Sequence, residues 1–167
     1  MSVELSTETA EATRECGVRL ASALRAGDLL ILSGDLGAGK TTFTQGLGAG
    51  LGVRGDITSP TFVISRVHPS TVGGPALVHV DAYRLHPSTG SGQAAMELDD
   101  LDLDTSLDDA VTVVEWGSGV AEELSEDRLE VEILRAHGDE VGETRTLRLR
   151  PVGARWVGVD VAGLVGA

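Results

Sequence analysis

Four consecutive apolar residues, Leu29 to Leu32, lead directly into a glycine-rich run. A strand with no polar face belongs at the centre of a parallel sheet, where both sides are covered. Val111 to Val114 repeats the pattern and ends on Glu115, which predicts a second buried strand. Before the first of these, Ser6 or Thr7 caps a predicted helix that runs to about Leu24. Its apolar stripe is Val18, Leu20, Ala21 and Leu24, with Gly27 past its end. After the strand, Gly34 to Thr41 opens a helix that continues through about Leu51 and closes at Gly52.

Two further pairs of segments have strand character. Phe62 to Val67 and Ala76 to Ala82 flank the turn-rich His68 to Pro75, and a hairpin is the simplest arrangement. Arg128 to Leu134 and Thr144 to Arg150 alternate apolar and polar residues across a turn at His137 to Gly142, as a half-exposed hairpin does. His86 to Ala95 is small and polar and reads as an insertion, followed by an acidic stretch that can hold short helices. After Pro151 the pattern is silent, and there is no internal repeat. The expectation is a single domain over residues 1–150, with residues 151–167 as a tail, packed or disordered.

Composition narrows the class. A chain of 167 residues can bury one substantial core. With 41% hydrophobic and 23% charged residues it is a folded soluble chain, and no apolar run approaches the roughly 18 residues of a membrane helix. Met1 to Glu15 carries four glutamates and resembles no secretory leader, so the expected location is the cytoplasm. The one cysteine, Cys16, excludes an internal disulfide and is expected to be an ordinary buried side chain.

Charge is uneven. The net charge is −13, and no Lys or Arg lies between Arg84 and Arg128, a window holding 12 acidic residues. Such a block is a solvated face or a docking surface for a basic partner, and it speaks against DNA binding on that side. Asp100, Asp102 and Asp104 are spaced like a calcium loop, but Thr105 stands where the turn needs Gly and Val111 where a bidentate Glu belongs, so calcium is rejected.

The chemistry lies in Gly34-Asp35-Leu36-Gly37-Ala38-Gly39-Lys40-Thr41, which satisfies G-x-x-x-x-G-K-[ST]. Glycines let the backbone N–H groups approach phosphate oxygens, and the helix that follows turns its positive end toward them. Lys40 reaches the β and γ phosphates, and the Thr41 hydroxyl is placed for Mg²⁺. Lys40 is the only lysine, beside 12 arginines, so an ammonium is kept where a guanidinium fork would crowd the phosphates.

The motif alone does not choose an activity. A typical GTPase needs an N/T-K-x-D motif, which a chain with its single lysine at position 40 cannot supply. The length is too small for an AAA+ module, and no LSGGQ-like signature points to an ABC subunit. A small-molecule kinase fits the size, yet residues 85–127, where a lid would lie, contain no arginine. Glu115, at the end of its apolar strand, stands where a magnesium-holding carboxylate belongs, and Asp81, ending another, is a second candidate for water or metal.

These pieces together resemble one family, TsaE (formerly YjeE), the ATPase of bacterial tRNA threonylcarbamoyladenosine synthesis. The matching segments are GDLGAGKTTF (Gly34 to Phe43), SPTF (Ser59 to Phe62), HVDAYR (His79 to Arg84) and VEW (Val114 to Trp116). The resemblance implies a P-loop NTPase-like α/β three-layer sandwich with a mixed central sheet flanked by helices. It implies ATP on Leu36 to Thr41, Mg²⁺ held by Thr41 and Glu115, Asp81 needed for hydrolysis, and Thr42 near the phosphates. Thr9 and Ala10 would lie near adenine, Ser59 to Phe62 would sense the γ-phosphate, and Trp116 is either core or site. It further implies that the protein binds the TsaB–TsaD heterodimer, that ATP turnover resets that complex, and that tRNA is met only through it. The acidic block around Asp99, Asp100 and Asp102 would contribute to docking.

Overall fold

A computed structural model of the chain describes residues 2–34, 37–54, 57, 65–81, 108–115, 126–135 and 142–166. Seven strands form one sheet: β1 (Val3–Thr7), β2 (Leu29–Ser33), β3 (Ser65–His68), β4 (Ala76–Asp81), β5 (Ala110–Glu115), β6 (Arg128–Arg135) and β7 (Arg145–Val152). Their order is β1-β7-β6-β2-β5-β4-β3. The central four, β6, β2, β5 and β4, run parallel, and β7 and β3 are antiparallel to their neighbours. The helices are α1 (Ala10–Ala21), α2 (Lys40–Leu51) and the short α3 (Val161–Val165), with a 3₁₀ turn at Ala154–Trp156. The expected mixed sheet flanked by helices is present.

The apolar runs lie where their composition requires. Leu29 to Leu32 are all at most 1% exposed, and Ala110 to Glu115 are buried throughout. Leu30 and Leu32 face α1 and α2 in a cluster with Phe43, Leu47, Val113 and Val131. On the opposite face Leu29, Ile31, Val78, Val80 and Val114 are equally buried, so the sheet centre is covered on both sides. The two expected hairpins are β3–β4 and β6–β7, each antiparallel.

The N-terminus differs from the reading of a helix from Ser6 or Thr7. Residues Val3 to Thr7 form an edge strand paired with β7, and the cap is Thr9, whose Oγ1 accepts from the Ala12 N–H at 3.0 Å. The alternation Val3, Leu5, Thr7 against Glu4, Ser6 is a period of two, and pairing with β7 turns that weak signal into a strand. Helix α1 ends at Ala21, and Leu24 is buried from the turn beyond it. Cys16 is buried on α1 as expected, and desolvation pushes its thiol up to about 11.

The C-terminal residues, silent in the pattern, pack: Trp156, Val161 and Val165 enter the core cluster. Arg155 fastens this segment to the α1–β2 turn. Its Nε and Nη2 donate to the two carboxylate oxygens of Asp28 at 2.8 Å each, and Nη2 donates to the Ala23 carbonyl at 2.7 Å. The guanidinium also lies 4.6 Å from the Trp156 ring centre.

Glycines set the distance between α1 and α2. A Cβ on Gly46 would collide with the Arg14 carbonyl, and one on Gly17 with the Phe43 carbonyl. The two helices therefore touch backbone to backbone, which brings the N-terminus of α1 alongside the start of α2.

Candidate functional site at the end of the central strands

The glycine loop leaves β2 at Ser33 and enters α2 at Lys40, at the carboxyl end of the parallel strands. Gly34, Gly37 and Gly39 have φ of 147°, 79° and 108°, and a Cβ at Gly34 would meet the Ile133 carbonyl. Only glycine takes this path without strain. Gly39 caps α2 with no side-chain hydrogen bond, and the first turn carries no acidic residue. The helix start thus faces the loop with no anionic side chain of its own.

Lys40 is 6% exposed, and its Nζ donates to the Gly34 carbonyl at 2.8 Å, bending the side chain back over the loop it belongs to. Thr44 returns a hydroxyl bond to the Lys40 carbonyl at 2.8 Å. Thr41 and Thr42 are half-buried on the first turn. Asp35 and Leu36 lie outside the described residues.

Sheet register brings the candidate acids together. Leu32 pairs with Glu115, and Glu115 pairs with Asp81, so the two acids occupy matching positions on adjacent strands next to the loop. Glu115 is buried, and its Oε1 accepts from Nε2 of the buried His79 at 3.0 Å. His79 Nδ1 has no hydrogen-bond partner among the described residues. From the motif alone His79 reads as structural. The structure makes it the residue that holds Glu115.

Beside the loop, Ala10, Thr13, Gly37, Gly39, Thr42, Glu143 and Arg145 line an open cleft. Ala10 is one of the two residues expected near adenine. Thr13, buried and bonded to Thr7 at 2.7 Å between hydroxyls, was not expected. Arg145 was also unforeseen, because it lies more than 100 residues from the loop and belongs to no motif. The expected roles of Ser59 to Phe62, Trp116 and the acidic cluster Asp99, Asp100 and Asp102 concern positions outside the described residues. Among the described residues no helix is long and apolar enough to cross a membrane.

The chain is similar to known proteins. The family described as Threonylcarbamoyl adenosine biosynthesis protein TsaE matches residues 7–146. A Streptomyces coelicolor protein named tRNA threonylcarbamoyladenosine biosynthesis protein TsaE is 60% identical over 92% of this chain and 99% of its own. The Bacillus subtilis protein of the same name is 37% identical over 90% of this chain and 86% of its own. A crystal structure of Bacillus subtilis YdiB superposes with a TM-score of 0.74 at 30% identity, covering 99% of this chain and 95% of that one. A family match that spans the loop, both acidic strand ends and β6, together with these relatives, leaves one assignment: the chain belongs to the TsaE family.

Proposed function

We propose that this protein is the ATP-binding and ATP-hydrolysing component of the machinery that makes N6-threonylcarbamoyladenosine in tRNA, and that its turnover resets a TsaB–TsaD complex. The observation that carries the reading is the register Leu32–Glu115–Asp81 at the end of β2, β5 and β4, directly beside a glycine loop whose buried lysine opens α2. The names of the relatives support the pathway and disfavour the alternative, a small-molecule kinase.

The roles follow from position. Backbone N–H groups of Gly37 to Thr41 and the start of α2 would hold the phosphates, with Lys40 moving its ammonium from the Gly34 carbonyl to the β and γ oxygens. Thr41 and Glu115 are oxygen donors suited to a hard cation, and Glu115, buried and fixed by His79, offers one in a set orientation. Mg²⁺, when bound there, would neutralise charge on the phosphate oxygens. Asp81, on the strand next to Glu115, would position the attacking water or support the cation's water shell. Water adds to the γ-phosphorus, the bond to the bridging oxygen breaks, and ADP and phosphate leave.

Phosphate release from ATP, measured with no acceptor present, with and without TsaB and TsaD, tests the proposal. Slow release alone and faster release with the partners is expected. ADP formed only together with a phosphorylated metabolite would establish the kinase reading instead.

A further inference from the structure

Arg145, the first residue of β7, reaches back to the glycine loop. Its Nε donates to the Ala38 carbonyl at 2.9 Å and its Nη2 to the Gly37 carbonyl at 3.4 Å. Its Nη1 donates to the carbonyls of Gly142 and Thr144 at 2.8 and 2.9 Å. Four of the five guanidinium N–H groups are thus committed to backbone carbonyls. The guanidinium joins the end of the β6–β7 connection to the loop.

The orientation of these carbonyls fixes the orientation of the amides. In a trans peptide the C=O and the following N–H point in opposite directions. A carbonyl of Gly37 turned out to Arg145 therefore turns the Ala38 N–H the other way, and a carbonyl of Ala38 does the same for the Gly39 N–H. Both amides belong to the segment that the motif assigns to phosphate oxygens. Glycine at 37 and 39 leaves these peptides free to rotate, so the loop's own sequence does not fix them. A rigid planar fork from another strand does.

We propose that Arg145 is a positioning residue for the nucleotide: by holding the Gly37 and Ala38 carbonyls it presets the amide donors of the loop, without itself being the phosphate ligand. The inference rests on the reading that the loop binds ATP. It assigns a specific function to the β6–β7 hairpin, which supplies the arginine.

Mg·ATP affinity by calorimetry, on wild type, Arg145→Lys, Arg145→Met and the exposed control Arg148→Met, separates the possibilities. Lysine keeps the charge and loses the fork. Both Arg145 variants are expected to bind about tenfold or more weakly, the scale of one charge-assisted hydrogen bond, while Arg148→Met binds as wild type does. Amide spectra supply a readout that a merely structural arginine would not move: the Ala38 and Gly39 N–H resonances shift on nucleotide addition in wild type and not in Arg145→Lys. Wild-type affinity or wild-type amide shifts in Arg145→Lys would overturn the proposal and leave the ATP reading intact. No binding by wild type would overturn the ATP reading itself. If neither variant folds, the Arg145 Nε–H resonance of wild type decides. Its protection from exchange persists in the nucleotide complex if the fork holds the loop, and its loss on binding overturns the idea.

Discussion

His79 Nε2 lies 3.0 Å from Glu115 Oε1, and both side chains are buried, at 0% and 3% exposure. The carboxylate is an acceptor, so Nε2 carries the proton and holds Oε1 from the neighbouring strand β4. An outer partner of this kind tunes how well a carboxylate holds a metal.

His79→Leu should therefore raise the Mg²⁺ concentration needed for half-maximal ATP hydrolysis by about 10-fold or more, with a smaller change in ATP affinity at saturating Mg²⁺. His79→Gln, which keeps an N–H donor, should recover part of the loss. An unchanged Mg²⁺ titration in His79→Leu would remove His79 from the site.

Lys40→Ala should weaken ATP binding by about 10-fold to 100-fold, the range of hydrogen bonds to charged groups. Calorimetry measures it. Affinity equal to wild type would mean that the buried ammonium takes no part in holding the nucleotide.

Gly46→Ala should destabilise the fold, because the added methyl meets the Arg14 carbonyl and neighbouring backbone, neither of which can swing aside. The expected loss is about 1–3 kcal/mol from overpacking, seen as a fall of roughly 2–4 °C in Tm per kcal/mol. Gly74→Ala, with only the Ser70 hydroxyl within 4 Å of the new carbon, should leave Tm nearly unchanged.

Asp28→Ala should cost about 3–5 kcal/mol, the usual result of stranding one partner of a buried pair. Arg155, only 11% exposed, would be left with its charge uncompensated. Thermal unfolding reports the loss, and a Tm equal to wild type would show that the C-terminal segment is not held by this pair.

Acid should weaken the outer half of the sheet through Glu130. Its desolvation alone would raise the carboxyl, but hydrogen bonds and charge from Arg150, at 2.8 Å, and Arg128, at 2.9 Å, outweigh it and hold the group below its ordinary value. A carboxyl depressed in the folded state contributes stability that is full above the ordinary value of 4.5 and is lost as pH falls through the folded one. Glu130→Gln should flatten the acid side of the Tm profile, with little change in its slope near neutrality.

Much of this was legible beforehand. Leu29 to Leu32 and Val111 to Val114 predict central strands because nothing polar interrupts them, and they are central. The hairpins follow from alternation and turn residues. The strand Val3–Thr7 was missed because a five-residue period-two signal beside a strong helix is decided by its partner, here β7. Trp156 and Val161 were missed because short turns between glycines have no period to detect.

Local sequence carries the whole pattern of the proposed phosphate loop, since eight contiguous residues contain the glycines, the lysine and the hydroxyl that such a turn requires. It also named Glu115 and Asp81, because an acid that ends an apolar strand lies at the strand's carboxyl end. Only the tertiary structure decided which residues hold the loop and Glu115, and what anchors the C-terminal segment. Arg145 meets Ala38 across 107 positions, Arg155 meets Asp28 across 127, and His79 meets Glu115 across 36. Contacts of that range depend on strand order and register, which arise when the whole sheet forms and are not carried by any one segment.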